Sequence, residues 1–310
     1  MQNNNITISI VSPFFNEEEM VDTFVEKIRE VMSEIGKSFE IICVNDGSTD
    51  NTLSRLIRTK KTCPDLRIIN LSRNFGKEAA LTAGLDHARG EAVIPIDADL
   101  QDPPELIKEF VSNWEAGVDV VLAQRIDRSS DSAAKRITAR LFYKLHNRIS
   151  YLKIPADVGD FRLMSKRVVE AVRQLPENQR FMKGIFSWVG FRTKIVEYQR
   201  PERSAGATSF NGWKLWNLAL EGITDFSTVP LRIWLYIGLV ISFLSFIFGS
   251  FIILKTLITG VDVPGYASLI TIILFLGGIQ LIGIGILGEY IGRIYMEAKR
   301  RPIYVVENEY

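Results

Sequence analysis

The sequence predicts an α/β domain on a mostly parallel sheet, followed by an amphipathic interfacial helix and a hairpin of two membrane-spanning helices. Three observations carry this expectation. Strand-length apolar runs alternate with helical patterns from the N-terminus onward, which implies a parallel sheet with helices on both faces. The loops that follow those runs are unusually polar. After residue 230 two long stretches carry no charge at all.

The apolar runs fall at 6–11, 40–44, 66–71, 92–96 and 118–123, with helical patterns at 17–35, 51–61 and 75–88 between them. In an open sheet of this kind a ligand binds outside the carboxyl ends of the strands. Four loops stand there. They read Ser12-Pro-Phe-Phe-Asn16-Glu17-Glu18, Asn45-Asp46-Gly47-Ser48-Thr49-Asp50, Ser72-Arg73-Asn74-Phe75-Gly76-Lys77 and Asp97-Ala-Asp99-Leu-Gln101-Asp102. The first strand is followed by neither a Walker loop nor a dinucleotide fingerprint. A Gly283-Ile-Gly285-Ile-Leu-Gly288 match lies inside an apolar stretch, where small residues serve close helix packing instead, and Gly288–Gly292 adds a GxxxG spacing.

The uncharged stretches, 233–254 and 263–288, each exceed the roughly 20 residues that cross a hydrocarbon core. The short connection between them makes a hairpin. Arg293, Lys299, Arg300 and Arg301 follow the second span while the connection offers Lys255, so both termini are expected in the cytoplasm and the chain is expected to be multi-pass in the cytoplasmic membrane. Trp213 and Trp216 among Lys214, Asn217 and Glu221 fit an interfacial helix, with a surface helix of the soluble domain as the alternative. The expected divisions are 1–209 for the α/β domain, 210–229 for the interfacial helix, 230–292 for the hairpin and 293–310 for a cytoplasmic tail.

The chain has 310 residues, 37 Lys+Arg against 36 Asp+Glu, and a net charge of +1. That balance speaks against nucleic-acid binding. Two cysteines, Cys43 and Cys63, without metal-ligand spacing make a zinc site or disulfide scaffold unexpected. Met1-Gln-Asn-Asn-Asn has no basic region leading into an apolar core, so no signal peptide is expected.

Asp97-Ala-Asp99 is the most informative tripeptide. Two carboxylates one residue apart at a strand end need a partner if buried. A divalent cation on a diphosphate supplies one, because Mg²⁺ and Mn²⁺ take hard oxygen ligands. The alternative is a helix-capping cluster before Pro103-Pro104, and the position at the fourth strand end favours the metal.

Pro13-Phe-Phe-Asn16-Glu17, Val44-Asn45-Asp46-Gly47-Ser48-Thr49-Asp50, Asn74-Phe75-Gly76-Lys77 and Asp97-Ala-Asp99-Leu-Gln101-Asp102-Pro103 together resemble the family-two inverting glycosyltransferases of GT-A fold. Within them the chain is similar to the polyisoprenyl-phosphate glycosyltransferases, over essentially its whole length. The resemblance implies that Pro13, Asn16 and Glu17 lie against base and ribose, that Asp46 bonds the base edge, and that Lys77 and Asp97 complete the nucleotide pocket. It assigns Asp99 and Gln101 to Mg²⁺ or Mn²⁺. Asp157-Val-Gly-Asp160-Phe-Arg162 matches the segment carrying acceptor-side and catalytic groups, with Asp157 as catalytic base or as an orienting group. Arg200-Pro-Glu-Arg203-Ser-Ala-Gly206-Ala-Thr-Ser209 matches the RxxRxxGxS loop. Arg200, Arg203 and Ser209 would bind the lipid phosphate, with Arg125 and Arg128 as helpers. Ser204 after Arg203 departs from the Arg-Trp signature of processive polysaccharide synthases.

The implied reaction is metal-dependent transfer of a hexose, with inversion, from a nucleotide sugar to a polyprenyl phosphate. Glucose from UDP-glucose is favoured, with GDP-mannose or an amino-arabinose donor as alternatives. A membrane carrier that binds nucleotide or lipid without chemistry is the competing class, though two spans are few for a transport path. The small residues of the second span suggest self-association into a homo-oligomer.

Overall fold

A computed structural model describes residues 6–126, 158–178, 180–199, 229–259 and 265–310. The elements run β1 (Ile8–Phe14), α1 (Val21–Ile35), β2 (Phe39–Asn45), α2 (Thr52–Lys60), β3 (Leu66–Leu71), α3 (Lys77–His87), β4 (Ala92–Pro95), α4 (Leu106–Glu115) and β5 (Val120–Arg125). They continue with β6 (Val158–Ser165), α5 (Lys166–Arg173), α6 (Met182–Trp188), β7 (Thr193–Tyr198), α7 (Val229–Thr259), α8 (Tyr266–Ala298) and β8 (Val306–Glu309). The fold is the expected α/β, GT-A-like arrangement. One sheet in the order β7-β5-β6-β4-β1-β2-β3-β8 holds all eight described strands. β4, β1, β2 and β3 are mutually parallel, as are β5 and β7. β6 runs antiparallel between β4 and β5.

Alternate residues of a strand face opposite sides of the sheet, so each central strand feeds two cores. Ile8, Ile10, Ile41 and Ile68 pack with Phe24 and Ile28 of α1, Leu56 of α2 and Phe110 of α4. Val11, Ile42, Val44 and Ile69 pack with Ala80 and Leu85 of α3, Val168 and Val172 of α5 and Ile185 of α6. The strands are apolar on both faces for that reason. Glu40 is an exception at the amino ends, only 2% exposed, and it accepts from Arg67 at 2.8 Å and from Ser9 Oγ at 2.6 Å. That end of the sheet is closed by a structural ion pair, which leaves the carboxyl ends for chemistry.

β1 reaches three residues further than expected, through Pro13 to Phe14. Its pairing with β4 ends at Val11 opposite Pro95. Pro13 therefore has a strand on one side only, where a missing N–H is tolerated.

The C-terminal segment carries structure that its sequence does not announce. Within residues 293–310, expected as a cytoplasmic tail, α8 continues to Ala298 and Val306–Glu309 pairs antiparallel with β3 as the edge strand β8. Ser72 N donates to Val305 O, and Tyr310 and Ile68 exchange N–H···O bonds of 2.9 and 3.0 Å. Tyr304 donates to Asp86 at 2.9 Å, and Glu309 lies 3.2 Å from His87 Nε2 and 3.7 Å from Arg67. An unpaired β3 would present a row of open backbone groups, and the tail covers them.

Among the described residues, two helices are long and apolar enough to cross a membrane: Ile233–Thr259 with mean hydropathy 2.6 and Phe275–Ala298 with 1.4. Phe246 and Leu281 are 74% and 70% exposed. Gly283 admits the Trp234 indole, whose Nε1 would stand 2.1 Å from any added Cβ. Gly285, Gly288 and Gly292 have nothing within 4 Å of that position. The expected interfacial helix 210–229 lies outside the described residues but for Val229, which opens α7.

Candidate functional site

The loops after β1 and β2 are interlocked. Asn16 N donates to Ser48 Oγ at 3.0 Å, and Asn16 Oδ1 accepts from Thr49 N at 2.8 Å. Glu17 N donates to Thr52 Oγ1 at 3.0 Å, and Glu18 N to Asp50 Oδ2 at 3.2 Å. Asn16 takes a left-handed conformation, φ 54°, to make this exchange; asparagine tolerates that better than most residues.

The second loop is locked to the third in turn. The Asp46 carboxylate accepts from Phe75 N at 2.7 Å and Gly76 N at 2.9 Å. Burial raises Asp46 above the ordinary carboxylate value against the pull of those two donors and of Arg73. Asp46, expected at the base edge, thus also organises the turn that delivers Lys77 to the start of α3.

Lys77 is the centre of the constellation. Its Nζ lies 2.7 Å from Asp97 Oδ1 and 3.0 Å from Asp160 Oδ2, which joins the loop after β3, the end of β4 and the strand β6. Burial opposes the charge on Lys77, but Asp160 and Asp97 hold its pKa above the usual lysine value. Burial likewise pushes the two carboxyls up. At Asp160 the cations Lys77, Lys183 and Arg162 overcome it and the pKa is depressed, whereas Asp97 stays raised. Asp160 Oδ1 is buried with no hydrogen-bond partner among the described residues.

Asp99 and Gln101 flank Leu100, which adopts φ 50°. That conformation is costly for a residue with a Cβ and clusters at functional sites. It lets Gln101 N reach Asp99 Oδ1 at 3.1 Å. Glu17 faces the same region: burial raises its pKa first, then the nearby charges of Asp99, Asp50 and Asp97. Acidic groups at these strand ends thus influence one another, with Lys77 as the counter-charge, and hard oxygen donors of this kind suit a divalent cation. Among the described residues no three His, Cys, Asp or Glu side chains are grouped to hold a metal by themselves. Asp99 and Gln101 would supply part of the coordination and a diphosphate the rest. Asp102 is differently employed: its Oδ1 accepts from Tyr198 Oη, which ties the loop to β7.

Of the other expected site residues, Pro13 lies in β1 beside its carboxyl end and Arg125 closes β5, two strands from β4. Asp157, Arg128, Arg200, Arg203 and Ser209 lie outside the described residues. Two groups carry no assigned role in the sequence reading, Asp160 and Glu78. The Asp160-x-Arg162 spacing on a strand puts both side chains on one face; Arg162 is 4% exposed, stacks on Phe186 at 4.3 Å and is held down to about 10 by burial. Glu78 accepts from the Met182 N–H, and burial, then the Asp160 charge, push its pKa up to about 7.

A carboxyl whose folded pKa exceeds its unfolded value destabilises the fold progressively as pH rises between the two. For Glu78 that window runs from about 4.5 to about 7. Glu78→Gln keeps an acceptor for Met182 and removes the charge. The purified variant is expected to unfold a few degrees higher than wild type at pH 8 and at nearly the same temperature at pH 4, below the unfolded value. An equal shift at both pH values would remove Glu78 from the titrating cluster.

Residues 9–173 match Glycosyl transferase family 2, and residues 229–294 match the GtrB C-terminal hairpin. The chain is 58% identical over 302 residues to a bactoprenol glucosyl transferase of Shigella phage SfV, covering 97% of this chain and 98% of the relative. It is also 58% identical over 300 residues to a prophage bactoprenol glucosyl transferase homolog of Escherichia coli K12, with the same coverage. A solved glucosyl-3-phosphoglycerate synthase from Mycobacterium tuberculosis, in complex with Mn²⁺, UDP and phosphoglyceric acid, aligns with a TM-score of 0.48 at 19% identity, over 71% of this chain and 76% of that one.

Proposed function

Since the chain belongs to glycosyl transferase family 2 and is a glycosyltransferase with a GtrB-type hairpin, we propose that it transfers glucose from UDP-glucose to undecaprenyl phosphate, with inversion, at the cytoplasmic face of the membrane. One observation carries the reading: a strand-end site centred on Lys77, Asp97 and Asp160 shares a chain with a hairpin of two apolar spans. The site suits a nucleotide sugar, and the hairpin suits an acceptor whose polyprenyl tail lives in the bilayer. The named activities of the phage and prophage relatives support the same donor sugar and acceptor.

Glycosyl transfer builds positive charge on the sugar and negative charge on the departing diphosphate. Lys77, fixed between two carboxylates, is positioned to meet that negative charge. Asp99 and Gln101 would hold a Mg²⁺ or Mn²⁺, which when bound acts as a Lewis acid toward the diphosphate oxygens. A phosphate monoester has its second pKa near 6, so the acceptor oxygen is ionised at neutral pH and a strong base is unnecessary. What it needs is a guanidinium cradle, the role we give Arg200 and Arg203 with Ser209, Arg125 and Arg128. Asp157 would then orient phosphate or sugar, or act as base. Arg293, Lys299, Arg300 and Arg301, against Lys255, support cytoplasmic termini. The small-residue face of Gly285, Gly288 and Gly292 supports a homo-oligomer.

The test is transfer of label from UDP-glucose into lipid in membranes supplied with Mg²⁺ and undecaprenyl phosphate, with GDP-mannose and a UDP-amino-arabinose in parallel. Chelator-sensitive glucolipid is expected, with the other donors giving little product. Preference for another donor overturns the glucose assignment. Asp99→Ala should lower the rate about a hundredfold or more. Unchanged yield and unchanged chelator sensitivity would take Asp99 out of the metal site.

A further inference from the structure

Glu307 of β8 begins a ladder of side chains that crosses the sheet just below the loops of the site. Its Oε2 accepts from Asn70 Nδ2 at 2.7 Å, and Asn70 Oδ1 accepts from Asn45 Nδ2 at 2.7 Å. Asn45 and Asn70 are 2% and 4% exposed and stand opposite each other at the ends of β2 and β3. Asn45 directly precedes Asp46, whose N–H donates to Phe14 O at 2.8 Å and whose carboxylate holds the third loop. The ladder therefore runs from the strand after the hairpin to the root of the nucleotide loop.

Its polarity is fixed from the outer end. A carboxylate only accepts, whereas an asparagine amide has one accepting and one donating end. Glu307 therefore turns the Asn70 amino group toward itself and the Asn70 oxygen toward Asn45. Asn45 must answer with its own amino group, which directs its oxygen away from Asn70. That oxygen is buried and has no hydrogen-bond partner among the described residues. Either amide, left alone, could flip; the acidic group on β8 forbids it.

We propose that Glu307 is a positioning residue for the donor site, acting through Asn70 and Asn45 on the Asp46–Gly47 turn. The inference rests on the nucleotide reading of that site. It makes the C-terminal strand part of the donor-binding machinery, though it touches no substrate.

The experiment uses the full-length chain in detergent, with UDP affinity by titration calorimetry, UDP-glucose KM and kcat at saturating undecaprenyl phosphate, and the thermal midpoint. Three variants read the ladder. Glu307→Gln keeps an accepting oxygen but can also donate, so it fixes the polarity only in part and is expected between wild type and Glu307→Ala. Glu307→Ala removes the acceptor and should weaken UDP binding and raise KM about fivefold, with kcat little changed, in keeping with loss of one hydrogen bond. Glu307→Lys offers only donors and reverses both amides, so it should weaken UDP binding tenfold or more, beyond alanine. A purely structural role predicts instead a lower thermal midpoint for alanine and lysine with unchanged UDP affinity and KM, and that result overturns the proposal. Wild-type protein that binds no UDP overturns the donor reading itself, and this inference with it. Wild-type binding with a flat variant series overturns the ladder alone.

Discussion

Lys77→Met is expected to lower glycosyl transfer at least a hundredfold, the loss typical when a preorganised charge partner of the transition state is removed. The lysine Nζ sits 2.7 and 2.9 Å from the two Asp97 oxygens and 3.0 Å from Asp160. Without it, Asp97 loses its counter-charge beside Asp160 and Asp99, and Asp160 keeps only Lys183 and Arg162, in the region proposed to receive the diphosphate. Both carboxyl pKa values should then rise, since Lys77 is the first group opposing burial at each. Residual activity should therefore lean toward lower pH, where those carboxyls are protonated. Lysine itself brings no pH dependence near neutrality: its folded pKa is raised above 10.5, so its stabilisation is intact below that value and lost only as pH climbs through the folded pKa. Lys77 is 46% exposed, so solvent screens it and the expected effect is on catalysis more than on folding. Single-turnover rates from labelled UDP-glucose across pH 5.5–8.5 provide the check. A rate within threefold of wild type would show that the leaving diphosphate does not rely on this cation.

Gly47→Ala is expected to abolish UDP binding and to destabilise the domain by on the order of 3 kcal/mol. Two costs combine. The backbone at Gly47 has φ 61°, and an added Cβ would stand 2.3 Å from Arg73 C and 2.4 Å from Asn74 N. Those atoms are main chain and cannot swing aside. The second loop would have to lift off the third, releasing the Asp46 bonds to Phe75 and Gly76 that deliver Lys77. Gly36 separates the two costs, because it has φ 70° but nothing within 4 Å. Gly36→Ala should lose only about 1 kcal/mol and keep full UDP affinity. Calorimetry and thermal unfolding of both variants make the comparison. Gly47→Ala with wild-type UDP affinity would mean that the interlock is not what shapes the pocket.

The parallel core of the sheet, the four loops and the two long apolar helices could be read from the chain because each is a local pattern. Apolar runs mark β1 to β5, and polar clusters mark where they end. The antiparallel insertion of β6 has no local signature, since its direction is decided by which neighbours it meets. β8 is hidden for a related reason: Val-Glu-Asn-Glu looks like a solvated tail until β3 is there to receive it. Within the site, the types of residue were evident but not their partners. Lys77, Asp97 and Asp160 are far apart in sequence and become one group only when three strands come together. Asp46 was expected to face a base, and its bonds to two backbone N–H groups follow from a loop crossing that sequence periodicity does not encode.

The place of β8 after both hairpin helices has a consequence for biogenesis. A nascent chain emerges with β3 exposed, and the rim of its sheet is sealed only after the two apolar helices have left the ribosome. An unsealed rim invites pairing with another polypeptide. If the hairpin inserts as proposed, faulty insertion should leave the α/β domain prone to aggregate, coupling the fate of the two helices to the solubility of the sheet.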